Sequence, residues 1–216
     1  GAFSGIGEAT AKEIASKGAK VVLGARREEK LKQIADDIKA AGGEAVYQAI
    51  DVTKTEDNDA IVKLAKDSFG RVDAIFLNAG IMPVSAVSAL KTDEWKQMVD
   101  VNINGVLNGV AAVMPTFTEQ KSGHILAVSS VAGLKAYAGT AVYGGTKWFV
   151  RDFMEVLRME SAMEGTNIRT ATLYPAAINT ELLDTITDKQ AGSGMQEVYD
   201  AFGISPDRIA RVAAFA

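Results

Sequence analysis

Residues 1–27, GAFSGIGEATAKEIASKGAKVVLGARR, decide how the rest of the chain is read. Gly1, Gly5 and Gly7 fall at G-x-x-x-G-x-G spacing directly before a helical run, and Lys20 to Gly24 then forms a short apolar strand. Glycines at such a turn let the backbone come close to a phosphate at the N-terminus of the following helix, where amide groups and the helix dipole favour negative charge. The spacing differs from the usual dinucleotide fingerprint, and by itself it is a weak signal that a plain tight turn would also give.

Working outward, further apolar stretches at Ala45 to Ile50, Ala74 to Asn78, His124 to Ser129 and Ile168 to Tyr174 alternate with segments of helical period. Near-continuous hydrophobicity suits parallel strands buried on both faces, with helices as crossovers. Leu31, Ile34, Ala35 and Ile38 repeat at i, i+3, i+4, i+7, which predicts an amphipathic helix over Arg27 to Ala41, ending before Gly42-Gly43. A long helix is predicted from Asp93 to Gln120 with Thr92 as N-cap, another from Ala141 to Glu164, and a last one entered through Ser205 and Pro206. The expectation is one doubly wound α/β domain over residues 1–216, a parallel sheet with helices on both faces. A strand feeding the glycine turn and a strand after the final helix are both missing from the pattern. The native chain is therefore expected to have a short apolar strand before Gly1 and to continue past Ala216.

Composition narrows the chemistry. A net charge of -4 and a pI near 5.2 give no general attraction to nucleic acid or anionic lipid. There is no cysteine and a single histidine, His124, so neither thiolate nor histidine metal sites are expected. No apolar run approaches the roughly 20 residues needed to span a bilayer, and the expected location is cytoplasmic. Catalysis must rest on hydroxyl, amine, carboxyl or amide groups.

The strand after the glycine turn ends Gly24-Ala25-Arg26-Arg27, where an NAD site would carry a carboxylate for the ribose hydroxyls. A guanidinium instead suits a 2′-phosphate, so NADP(H) is expected over NAD(H). Tyr143 and Lys147 lie four apart in a predicted helix and share a face. An ammonium about 4 Å from a phenol favours the phenolate by roughly 4 kcal/mol at an effective dielectric near 20, which would bring the tyrosine toward neutral pH. Ser129 and Ser130 end the preceding strand, at the sheet edge where open α/β folds bind ligands. A hydroxyl there can stabilise a carbonyl oxygen gaining charge.

Together these residues resemble the short-chain dehydrogenases/reductases, in order and along nearly the whole chain. Gly1 to Gly7 is similar to the family's glycine-rich turn without its leading threonine, and Asn78-Ala79-Gly80 to its Asn-Ala-Gly motif. Val101-Asn102 resembles the stretch with the catalytic asparagine. Ser130, thirteen residues before Tyr143, matches the family serine better than Ser129, and Tyr143 with Lys147 matches Tyr-x-x-x-Lys. The resemblance implies a Rossmann-like domain and a catalytic tetrad of Asn102, Ser130, Tyr143 and Lys147. It implies cofactor contacts from Gly1, Ser4, Gly5, Ile6, Gly7, Arg26, Arg27, Asp51, Val52, Asn78, Ala79, Gly80, Pro175, Ile178 and Thr180, besides Tyr143 and Lys147. It also implies a homodimer or homotetramer formed through the Asp93 and Ala141 helices. Ala176 departs from the family's usual Pro-Gly and puts the backbone bend there in question.

The expected activity is hydride transfer between NADP(H) and the carbonyl or secondary alcohol of a small to medium apolar substrate. Tyr143 is the expected general acid/base. Residues 180–204, with Leu182, Leu183, Ile186, Met195 and Tyr199, read as a substrate-binding lid or as an ordinary surface excursion. Two other functions fit the same residues. One is a 3-oxoacyl thioester reductase, which would need a basic entrance from Lys135, Arg151 and Arg158. The other is a non-catalytic NADP-binding sensor, which would have no need of a proton donor.

Overall fold

A computed structural model describes residues 1–216. In chain order the elements are α1 (Gly5–Ser16), β1 (Lys20–Ala25), α2 (Glu28–Ala40), β2 (Glu44–Ala49), α3 (Thr55–Phe69), β3 (Ala74–Leu77) and α4 (Thr92–Val99). They continue with α5 (Gly105–Gln120), β4 (Gly123–Val128), α6 (Ala141–Glu164), β5 (Ile168–Leu173), α7 (Lys189–Phe202) and α8 (Pro206–Phe215). Every strand pair is parallel, as uninterrupted apolar strands linked by helical crossovers require. No helix is long and apolar enough to cross a membrane.

The predicted repeat on α2 is realised: Leu31, Ile34, Ala35 and Ile38 are all buried and pack with Ala11, Ala15, Leu23 and Ala45. Burying a leucine or isoleucine side chain contributes about 1.5–3 kcal/mol, so this one stripe accounts for much of what holds α1 and α2 on β1 and β2. On the other face Val106, Val110, Val113 and Phe117 of α5 meet Ile125, Ala127, Val150, Met154 and Ile168. Helices thus cover both faces, the doubly wound arrangement expected from the sequence.

The five strands pair as two groups, β1 with β2 and β3–β4–β5. Between β1 and β3 lies a cleft of about 390 Å³, lined largely by apolar side chains that include Val21, Leu23, Ile75 and Leu77. The glycine turn ties the two groups together at the C-terminal ends of their strands. Ala2 N donates to Gly24 O at 3.2 Å, and Asn78 Nδ2 donates to Gly1 O at 3.0 Å.

The single helix expected from Asp93 to Gln120 is instead two α-helical halves joined by a π-helical turn over Asp100–Asn104. Such turns insert one extra residue and are frequent at functional sites. Thr92 is the first helical residue and Lys91 the cap, one position from expectation. Ser205 does cap α8, accepting from the Asp207 amide.

Candidate active site

The site is assembled at the C-terminal ends of β1, β3, β4 and β5. At the glycine turn, Ser4 is extended and Gly5 has φ +55°, a left-handed conformation that glycine adopts without strain. A Cβ on Gly7 would lie 2.2 Å from Gly1 O and 2.7 Å from Asn78 Nδ2, so no side chain fits there. The first intrahelical bond of α1 runs from Glu8 N to Ser4 O, and Ser4 makes no side-chain cap. The amides of Gly5, Ile6 and Gly7 thus have no intrahelical acceptor and form an anion-receptive helix end.

Arg26 and Arg27 follow β1 directly. The Arg27 guanidinium lies 4.8 Å from the centre of the Phe3 ring and 3.8 Å from a Glu181 carboxylate oxygen. Asp51, after β2, accepts from Thr53 N at 3.0 Å and Thr53 Oγ1 at 2.8 Å. These bonds first, and Arg26 to a lesser degree, hold its carboxyl below the usual range. Neighbouring Val52 packs on Gly105, where a Cβ would come within 2.8 Å of Val52 Cγ2. Beyond β3, Asn78 is occupied by Gly1 O, and Gly80 sits where a Cβ would be 3.5 Å from Asn102 Oδ1 and 3.6 Å from Lys147 Nζ. Asn78, Ala79 and Gly80 thus run from the glycine turn to the four tetrad residues.

Those four are buried and converge. Asn102 lies on the π turn, 1% exposed; its Oδ1 accepts from Ile81 N and its Nδ2 donates to Ile81 O, each at 2.9 Å. Asn102 Nδ2 also donates to Thr146 Oγ1 at 3.1 Å, and Thr146 Oγ1 donates to Tyr143 O at 2.7 Å. The asparagine is thereby linked to the helix that carries the tyrosine. Ser130 Oγ accepts from Ala132 N at 3.1 Å and lies 3.4 Å from Pro175 O. Ser129 is turned away, donating to Lys147 O at 2.8 Å, which supports Ser130 as the serine that faces the site.

Lys147 Nζ donates to Val128 O at 3.0 Å and stands 5.7 Å from the centre of the Tyr143 ring. The expectation that Lys147 brings the phenol toward neutrality is not met. Burial pushes Tyr143 up to about 12, with the Ser130 hydroxyl pulling down and Tyr199 pushing up. Burial likewise brings Lys147 down to about 8. Desolvation sets both values because both groups are enclosed, and the ammonium donates to the Val128 carbonyl. At neutral pH Tyr143 is therefore a neutral phenol, the form that can donate a proton.

The remaining predicted residues lie on the irregular segment after β5. Pro175 O accepts from Val131 N at 3.1 Å. Ile178 is buried and bridges to Ile204, with Asn179 N donating to Ile204 O at 2.9 Å. Thr180 rests its methyl against Gly5, where a Cβ would come within 2.8 Å, and its Oγ1 accepts from Leu182 N. Ala176 is not among the residues with positive φ, so the bend there is one that alanine adopts freely.

The segment from Glu181 onward packs over the tetrad. Leu182, Leu183, Ile186, Ala191 and Met195 lie against buried Met82, Met98, Tyr143 and Tyr199. Thr185 Oγ1 accepts from Met82 N at 2.9 Å, and Thr187 bonds to both Lys91 and Glu94. Sequence reasoning missed two partners here, Thr146 and Glu181. Thr146 was findable, since a threonine three residues into the tyrosine's own turn can bond back to its carbonyl. The Arg27–Glu181 pair spans most of the chain and left no local signal. Of the basic residues considered for a carrier-protein entrance, Arg158 is paired with Glu155 and Arg151 stacks on Trp148.

Comparison with known proteins gives a consistent result. A family model described as short chain dehydrogenase matches residues 1–191. An uncharacterized oxidoreductase from Listeria innocua is 68% identical over 216 residues, covering all of this chain and 87% of the relative. A short chain dehydrogenase/reductase from Burkholderia phymatum in complex with NAD superposes with a TM-score of 0.93 at 27% identity, covering 99% of this chain and 82% of that one. An alcohol dehydrogenase from the archaeon Thermococcus sibiricus, complexed with 5-hydroxy-NADP, gives 0.86 at 27% identity over 99% of this chain and 86% of that one.

Proposed function

Since the chain belongs to the short-chain dehydrogenase family of oxidoreductases, we propose that it transfers hydride between NADP(H) and a carbonyl or secondary alcohol, with Tyr143 as general acid/base. The substrate is small to medium-sized and mainly apolar. The observation that carries this reading is the convergence of a buried neutral phenol, Tyr143, with Ser130 and Lys147 on the sheet edge that also holds a glycine-lined helix N-terminus.

The residues present fit a dinucleotide. The free amides of Gly5, Ile6 and Gly7 suit a pyrophosphate, Arg26 and Arg27 suit a 2′-phosphate, and Asp51, Val52, Asn78, Ala79 and Gly80 border the groove between. Pro175, Ile178 and Thr180 would close its nicotinamide end. A bound nicotinamide supplies the hydride; orientation, electrostatics and the proton come from the protein. Tyr143 delivers its proton to the carbonyl oxygen, and Ser130 donates a hydrogen bond to that oxygen as its charge grows. Lys147, pushed down to about 8, can exchange a proton in the range where the reaction runs. Asn102 is a positioning residue that fixes the Ile81 backbone and, through Thr146, the tyrosine's turn.

Residues 180–204 act as a lid, a role supported by their apolar packing on Met82 and Tyr143 and by the tethers at Thr185 and Thr187. Self-association through the α4–α5 and α6 faces is supported by the exposure of Leu107, Trp148, Val156 and Met159. The test is NADPH oxidation against a panel of ketones and aldehydes, with NADH in parallel. NADPH consumption above the NADH rate is expected, and binding of NADPH without turnover of any carbonyl would restore the sensor reading.

A further inference from the structure

Tyr199 is 8% exposed and the one buried residue of α7. It shares a core cluster with Met82, Val84, Met98, Ala132, Tyr143 and Ala177, in which Tyr143 is the only other member with a polar side chain. A phenylalanine would fill the same volume without desolvating a hydroxyl, and a buried tyrosine ordinarily directs its hydroxyl to a partner. Its hydroxyl makes no hydrogen bond within the chain and is not among the enclosed, unpartnered polar atoms, so it keeps an opening toward the site. Hydroxyls that border the cluster are engaged elsewhere. Thr185 Oγ1 serves Leu182 O and Met82 N, Thr180 Oγ1 serves Leu182 N, and Ser130 Oγ takes Ala132 N. The ring's position is set from behind: Gly203 N donates to Tyr199 O at 2.7 Å, and a Cβ on Gly203 would lie 2.4 Å from that oxygen and 2.1 Å from Asn179 Oδ1.

We infer that Tyr199 is a specificity-determining residue whose hydroxyl binds a second oxygen function on the substrate, so that ketones carrying a nearby hydroxyl or carbonyl are preferred over plain ketones. The inference rests on the reading of Tyr143 as proton donor and names the substrate class for that site. The two tyrosines are members of one packed cluster, and a negative Tyr199 would oppose ionisation of Tyr143. A substrate oxygen bonded to one phenol would then lie near a carbonyl bonded to the other. Burial raises Tyr199 as well, which keeps it neutral and able both to donate and to accept. A buried hydroxyl left unpaired by a substrate lacking the matching oxygen lowers affinity by about 10- to 100-fold.

The test compares 1-hydroxy-2-butanone with 2-butanone. Calorimetric binding to protein loaded with NADP⁺ is measured alongside initial rates with NADPH. The wild type is expected to bind the hydroxyketone at least 10-fold tighter, with the difference appearing in KM more than in kcat. Tyr199→Phe should abolish that preference by weakening the hydroxyketone alone, and Tyr143→Phe should keep the binding ratio while losing turnover. Equal binding of both ketones by the wild type overturns the inference, without need of any variant, as does equal weakening of both in Tyr199→Phe. A preserved binding ratio with no turnover of any carbonyl would instead remove the hydride-transfer reading and leave the role of Tyr199 standing.

Discussion

The hydroxyl of Ser129 donates to the backbone carbonyl of Lys147 at 2.8 Å, fastening the end of β4 to the helix that bears the tyrosine and lysine. Gly133 makes room for this bond, since a Cβ there would lie 2.4 Å from Ser129 Oγ and 2.7 Å from Lys147 O. Two adjacent serines therefore do different work, one holding the scaffold and the other facing the site.

The division predicts different phenotypes. Ser129→Ala removes a buried side-chain bond to a carbonyl that keeps its helical donor, and should cost about 0.5–1.5 kcal/mol of stability in denaturant titration with little change in kcat. Ser130→Ala gives up its bond from the Ala132 amide and should cost a similar amount of stability, yet it alone should lose about 10²- to 10³-fold in kcat, the scale of a removed oxyanion donor. Matching losses of rate in the two variants would show that the serines are not separated in this way.

Tyr143→Phe should lower kcat about 10²- to 10⁴-fold while NADPH binding, followed by fluorescence titration, stays within a few-fold of the wild type. Undiminished turnover would remove the proton-donor assignment.

Lys147 should give the cofactor-free protein an alkaline gain in stability. Unfolded, it keeps its proton up to its ordinary 10.5, and folded only up to about 8, so between these values the unfolded state holds more protons and stability rises with pH. Tyr143 acts oppositely above pH 10, because its folded value of about 12 lies above the ordinary 10.0. From pH 7 to 9.5 the wild type should gain roughly 2 kcal/mol relative to Lys147→Met in urea titration. Parallel pH profiles for the two proteins would contradict the burial of this ammonium.

Arg27→Ala should weaken NADPH by about 10- to 100-fold and leave NADH almost unchanged, since only the former offers a 2′-phosphate. Stability should hardly move, as the Arg27–Glu181 pair is half exposed at 3.8 Å. Equal weakening of both nucleotides would assign the arginine to packing on Phe3.

Gly7→Ala should abolish nucleotide binding and lower the melting temperature by several degrees, because its methyl would overlap Gly1 O. Unaltered NADPH affinity in this variant would exclude the turn from the nucleotide site.

Elements whose stability comes from local periodicity were legible in the sequence. The i, i+3, i+4, i+7 stripe of Leu31 to Ile38 and the five apolar runs gave α2 and all five strands to within a residue or two. The tetrad was legible as spacing, but its electrostatics were not. Whether Lys147 acidifies Tyr143 depends on how far water is excluded from both, and exclusion is produced by residues from five separate elements. The π turn escaped for a similar reason: Asp93 to Gln120 has helical period throughout, and the extra residue is imposed by Asn102 engaging Ile81, more than twenty positions away in space-filling contact rather than in sequence pattern. The helical character of Lys189–Phe202 was hidden by Gly192 and Gly194, which lower local propensity while the buried Tyr199 anchors the helix.

That π turn also gives the rod from Thr92 to Gln120 something like a reading frame. Each residue of an α-helix advances the facing direction by about 100°. Before the turn, Met98 looks into the tyrosine's cluster; after it, Val106 and Val110 look into the opposite-face core with Val150 and Met154. Removing one residue between 100 and 104 would restore an even α pitch that keeps both sets of anchors facing as they do, but would take from Asn102 the offset that sets it against Ile81. A deletion there should therefore spare the packing of the rod and disarm the site it crosses.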